Sequence, residues 1–123
     1  MITFKEWEQL KDTFYGTTKY YPLLNSLYLT DGTKTMADKL ECYWIFDNIA
    51  IYDHFIEQYV MVVVKIIAKE NKATIEFLDG NDKGLALIPV QYTDLPDGEY
   101  EVWACKTELK GKKAYVACLP RER

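Results

Sequence analysis

The chain has 123 residues, 49% of them apolar and 28% charged, with a formal net charge of −4. That length suits one hydrophobic core rather than two, so residues 1–123 are expected to form a single domain. The apolar share excludes wholesale disorder. Charge is uneven. Residues 1–105 hold nine Lys against seventeen Asp and Glu, a balance of −8. Residues 106–123 hold Lys106, Lys110, Lys112, Lys113, Arg121 and Arg123 against Glu108 and Glu122, a balance of +4. The acidic body repels nucleic-acid phosphate, and the C-terminal stretch is the part able to touch it.

The start of the chain, Met1 to Glu8, has neither the basic nor the apolar region of a secretory signal. The longest apolar run, Tyr59 to Val64, is far short of a membrane span. Cys42, Cys105 and Cys118 lack C-x-x-C spacing and suggest neither a disulfide framework nor a zinc site. A cytoplasmic chain with reduced thiols and no membrane partner is expected.

Thr3 and Glu6 form a T-x-x-E capping box, with Ile2 and Trp7 placed as a hydrophobic staple. Phe4, Trp7, Leu10 and Phe14 recur at helical spacing, which predicts a helix from Phe4 to Tyr15 stopped at Gly16. Thr17 to Ser26 reads as an extended connection, since Pro22 pushes Tyr21 out of the helical region. Leu27-Tyr28-Leu29 is a short extended segment ending in a turn at Thr30-Asp31-Gly32. Thr33 or Thr35 caps a second helical region through Met36–Leu40. It continues, with a possible break, to Asp53, and Leu40, Trp44, Ile45, Ile49 and Tyr52 give it a broad apolar stripe.

Tyr59 to Lys69 is the most apolar segment. Val60, Val62, Val64, Ile66 and Ala68 make an unbroken face at period two, and the odd positions are broken only by Lys65. Its β-branched residues favour a strand, which needs a partner on each side. Further strands are expected over Ala73–Leu78, Leu85–Ile88, Tyr100–Cys105 and Ala114–Leu119, with Pro89 ending the second of these or marking an edge. The expected fold is α+β. An antiparallel sheet of about five strands in meander order carries two helical regions on one face.

No arrangement of residues supports catalysis. Asp53-His54-x-x-Glu57 offers potential metal ligands, but His54 is the only histidine, and a solvated helix end explains the group better. Asp79, Asn81 and Asp82 have the composition of a surface turn and lack the spacing of a calcium loop. Ser26, the only serine, has no G-x-S-x-G elbow around it. The six glycines are dispersed and form no phosphate loop. If the last hairpin turns on Gly111-Lys112, Cys105 faces Cys118, and a slip of one residue removes that pairing. No enzyme activity, metal or cofactor is expected.

The candidate binding residues are aromatic and basic. Tyr15, Tyr20, Tyr21 and Tyr28 cluster around an irregular segment, with Asp31 in the adjoining turn. They form either a contact or stacking surface or padding between helix and sheet. Lys110, Lys112 and Lys113 supply positive charge at the hairpin tip.

Several segments, in order over most of the chain, carry a resemblance. They are Phe14-Tyr15-Gly16, Lys19-Tyr20-Tyr21, Tyr28-Leu29-Thr30-Asp31-Gly32, Tyr43-Trp44-Ile45, Asp47-x-Ile49-Ala50, Tyr92-Thr93-Asp94-Leu95-Pro96 and Leu119-Pro120. In these the chain resembles a family of small bacterial, phage and mobile-element proteins known only as a domain of unknown function. The resemblance implies no catalytic residues. It implies a setting, that of mobile-element accessory proteins, a group that includes inhibitors of host defence systems. The first functional expectation is therefore a monomer or homodimer that binds and inhibits a host defence protein through an acidic, Tyr-rich surface. The alternative is a nucleic-acid or nucleotide-binding module that uses the tyrosines for stacking and the basic hairpin for phosphate.

Overall fold

A computed structural model describes residues 1–123. The chain runs α1 (Phe4–Lys11), β1 (Tyr21–Pro22), β2 (Leu27–Leu29), α2 (Asp31–Lys39), α3 (Tyr43–Ile51), α4 (Asp53–Tyr59), β3 (Met61–Lys69), β4 (Lys72–Leu78), β5 (Gly84–Val90), β6 (Gly98–Leu109) and β7 (Lys112–Cys118). A short 3-10 turn, Pro120–Glu122, closes it. The class is α+β, but the sheet differs from expectation. It has seven strands in the order β1-β2-β7-β6-β3-β4-β5, and β2 runs parallel to β7.

The meander fails for a physical reason. Strands laid down in chain order would leave β3, the most apolar of them, with an unpaired edge. Instead β6 crosses back to pair with the free side of β3, which then lies between β4 and β6. The crossing segment is tied to the β3–β4 turn. Thr93 N–H donates to the Asn71 carbonyl (2.9 Å), Asn71 Nδ2 donates back to the Thr93 carbonyl (3.3 Å), and Glu70 N–H donates to Asp97 Oδ1 (3.0 Å). Pro89 lies within β5, on the edge of the sheet, where a missing N–H is tolerated.

One face of the sheet is dry. Val62, Val64, Ile66, Ile75, Phe77, Val102, Ala104 and Ala117 are fully buried there with Trp7, Met36, Ile45, Phe46, Ile49 and Ile56 from the four helices. Met61, Val63, Ile67 and Trp103 point the other way and stay outside this core.

Three helix boundaries depart from the sequence reading. The capping box forms as expected, Thr3 N–H to Glu6 Oε1 (2.9 Å) and Glu6 N–H to Thr3 Oγ1 (3.1 Å). The helix nevertheless ends at Lys11, because the Thr13 backbone and hydroxyl both donate to the Leu10 carbonyl (3.0 and 2.7 Å) and tighten the last turn. Thr30, not Thr33 or Thr35, caps α2, so the expected turn at Thr30-Asp31-Gly32 is the helix start. Between α2 and α3 the Cys42 N–H reaches the Ala37 carbonyl (3.1 Å) across Glu41 at φ 50°, a Schellman closure without the usual glycine. Finally, Tyr59 ends α4 rather than opening β3. Val60 turns the chain at φ 66°, held by its N–H on the Ile56 carbonyl (2.9 Å) and its own carbonyl on Lys106 N–H (2.7 Å).

The two faces of β3 separate cleanly in energy. Ile66 is 0% exposed and its neighbour Ile67 is 44% exposed. Ile66→Ala is expected to cost about 2–5 kcal/mol, whereas Ile67→Ala costs under about 1 kcal/mol. Urea unfolding of the two variants checks it, and equal losses would contradict the face assignment.

Candidate functional site: a tyrosine–lysine groove

The β6–β7 hairpin closes on Lys110 (φ 52°) and Gly111 (φ 77°), with Leu109 opposite Lys112. Two successive positive φ values make the two-residue turn that matches the strand twist. The turn lies one residue earlier than the Gly111-Lys112 placement considered from sequence. Cys105 therefore faces Val116 and Cys118 faces Trp103, so the two thiols are diagonal neighbours. The interaction between the neighbouring thiols draws Cys105 down and pushes Cys118 up. Cys42 is buried in the core, which pushes its thiol up to about 12.

Asp31 organises the tyrosine segment. Its carboxylate accepts from Thr18 N–H (2.8 Å), Thr18 Oγ1 (3.0 Å) and the Tyr21 hydroxyl (3.1 Å), while its own N–H donates to Thr17 Oγ1 (2.8 Å). The Thr18 backbone N–H, joined by the two hydroxyls, keeps this carboxyl below its ordinary range. Glu122 completes the same helix end, accepting from Thr30 Oγ1 (2.6 Å), Gly32 N–H (2.9 Å) and Leu119 N–H (2.9 Å). A Cβ on Gly32 would stand 2.5 Å from Glu122 Oε1, so glycine is what admits the carboxylate. Asp31 is thus a structural clamp that pins residues 17–21 beside the sheet.

The consequence is one groove of about 760 Å³. It is lined by Lys19, Tyr20, Tyr21, Pro22 and Tyr28 on one side and by Leu109, Lys110, Lys112, Lys113 and Ala114 on the other. Six of the eight candidate residues meet here although up to 93 positions separate them in the chain. Tyr15 does not; it is 69% exposed, with the Arg121 guanidinium over its ring at 4.8 Å. Asp31 stands behind the groove, on the Tyr21 hydroxyl. Four lining residues, Lys19, Pro22, Leu109 and Ala114, were not among the candidates. Lys19 was signalled by its place beside Tyr20-Tyr21, and Leu109 by being apolar in an otherwise polar hairpin end.

The groove lysines are not equivalent. Lys113 is paired with Glu57 (3.3 Å) and lies over the Tyr115 ring, whereas Lys19, Lys110 and Lys112 form no ion pair. Glu57 also accepts from Lys106 (2.7 Å) and the Tyr115 hydroxyl (2.7 Å), so it belongs to a clamp between α4 and the hairpin. The tyrosines divide in the same way. Tyr21 has its hydroxyl engaged and Lys34 at 5.8 Å from its ring, whereas Tyr20 is 46% exposed. A surface that combines open rings with unpaired ammonium groups suits a ligand having both flat π-systems and negative charge.

The family of unknown function DUF6876 matches residues 6–123. The chain belongs to this family. No curated protein and no solved structure matches it. The segments that carried the resemblance lie at the joints of the fold. Thr30-Asp31-Gly32 is the clamp just described. Tyr43 opens α3 with its hydroxyl on Asp38 (2.6 Å). Tyr92 to Pro96 forms the crossing segment before β6, with Tyr100 donating to the Pro96 carbonyl (2.6 Å). No helix is long and apolar enough to cross a membrane.

The Lys106 ammonium above all, with the Tyr115 hydroxyl and Lys113, holds the Glu57 carboxyl down at about 2, from an ordinary 4.5. A depressed folded-state value contributes stability above the unfolded value and loses it as pH falls through the folded one. Glu57→Gln is therefore expected to lower Tm modestly at pH 7, with the gap from wild type closing between pH 4.5 and about 2. Thermal unfolding followed by circular dichroism across that range checks it.

Proposed function

We propose that this chain is a non-enzymatic binding module whose groove takes single-stranded nucleic acid. The observation that carries the reading is the meeting of Tyr20 and Tyr28 with unpaired Lys19, Lys110 and Lys112 in one groove. Phosphates supply sequence-independent affinity by releasing counterions to lysines, and bases stack on aromatic rings whatever their identity. Lysine is a mobile point charge rather than a planar fork, which suits a backbone followed without a fixed register. The −8 balance of residues 1–105 disfavours phosphate elsewhere and confines it to this corner.

Anisotropy of a fluorescein-labelled oligothymidylate, titrated over a salt series, tests the reading. Lys110→Ala with Lys112→Ala is expected to reduce the slope of log K against log salt by about 0.7 per lysine. Tyr20→Ala is expected to weaken binding by about 1–3 kcal/mol, roughly 5- to 160-fold, and to leave the slope unchanged. Absence of binding at low salt would remove the proposal.

The acidic body favours a second reading, inhibition of a bacterial defence protein by a phage or mobile-element accessory protein in the cytoplasm. Acidic surfaces engage basic nucleic-acid grooves through complementary potential, and the resemblance to mobile-element proteins points the same way. A host nuclease or its regulator should then co-purify with the tagged chain, and restriction of phage should fall in cells that express it. Neither enrichment nor relief of restriction would count decisively against this reading.

A further inference from the structure

The strand registers arrange the face of the sheet opposite the helices in rows. Pro22, Tyr28, Val116, Cys105 and Met61 form one row, each opposite the next across a ladder. Cys118, Trp103, Val63 and Leu78 form the row beside it. The next row is charged, Glu101, Lys65 and Glu76. The first row begins inside the groove, at Pro22 and Tyr28. The second holds a half-buried indole whose Nε1 donates to Glu101 Oε2 (2.9 Å), which anchors the indole edge. Tyr28, Met61, Val63, Trp103 and Cys105 lie outside the helix-covered core and are half-buried, whereas Val116, Cys118 and Leu78 are buried on this face too.

This geometry ties the apolar rows to the groove. Tyr28 on β2 and Trp103 on β6 are two strand spacings and one row apart, about 12 Å, a span that a short oligonucleotide covers. The track is bounded at both ends by charge. Lys110 and Lys112 stand at the groove end, where phosphate is attracted. Glu101 and Glu76 flank Lys65 at the far end, where phosphate is repelled. Between them the half-buried Cys105 and Trp103 offer bases apolar contact and a second aromatic plane.

We infer that Trp103 is a second base-stacking platform, and that single-stranded nucleic acid runs from Tyr28 past Cys105 to the indole. The inference rests on the groove reading and adds a binding residue to it.

Intrinsic tryptophan emission of the full chain, titrated with unlabelled oligothymidylate beside the anisotropy assay, tests it. Emission is expected to be quenched on binding. Trp103→Phe should abolish the quench, since Trp7 is buried in the core and Trp44 lies on α3. Trp103→Leu should weaken binding roughly 5- to 160-fold with the wild-type salt slope, and Trp103→Phe should restore most of the loss. Thermal unfolding of each variant establishes that it is folded. Wild-type affinity in a folded Trp103→Leu variant, or a quench that persists in Trp103→Phe, would overturn the track and leave the groove standing. No anisotropy change with any variant or wild type at low salt would bring down the groove reading and the track together.

Discussion

The fold depends on the need of β3 for a hydrogen-bonded neighbour on each side. A strand with one wholly dry face and few polar groups on the other cannot leave a row of backbone donors and acceptors at an edge without exposing an aggregation template. β4 satisfies one side through the two-residue turn at Glu70-Asn71, both at positive φ. The other side is met only when the chain passes the β3–β4 turn and returns as β6. This return brings the β6–β7 hairpin beside β2 and so creates the corner where lysines and tyrosines meet.

A second constraint acts at the start of α2. The first turn of a helix presents unsatisfied N–H groups and positive partial charge. Here they are met by Thr30, by Thr33 and by Glu122 from the far end of the chain, whose carboxylate fits because residue 32 lacks a side chain. Asp31, turned outward from the same helix end, gathers Thr17, Thr18 and Tyr21. One short segment thus fastens the C-terminus and the tyrosine loop. Thr30-Asp31-Gly32 has a structural role as a result, and Lys19, Tyr20 and Tyr28 are left to line the groove.

Charge is divided by the same architecture. The whole chain is acidic, yet the groove is lined by four lysines, only one of them neutralised by a carboxylate. The expected acidic, tyrosine-rich surface is therefore two surfaces, and the groove tyrosines lie on the basic one. That separation follows from the β6–β7 hairpin, which carries positive charge to a place where the acidic body supplies only aromatic rings and Lys19.

Composition and period determined the central strand, its dry face from Val62 to Ala68 though not the exposed Val60, the first helix start and the hairpin around Gly111, because each depends on residues near one another in sequence. Local signals also named most of the groove residues, since tyrosines beside a proline and lysines beside a glycine are visible without coordinates. The strand order, the parallel β2–β7 pair and the one-residue position of the last turn were decided by tertiary structure alone. The physical reason is that strand pairing and register minimise exposed backbone over the whole sheet. Neighbouring registers of a single hairpin have nearly the same local propensity, and only the completed sheet distinguishes them.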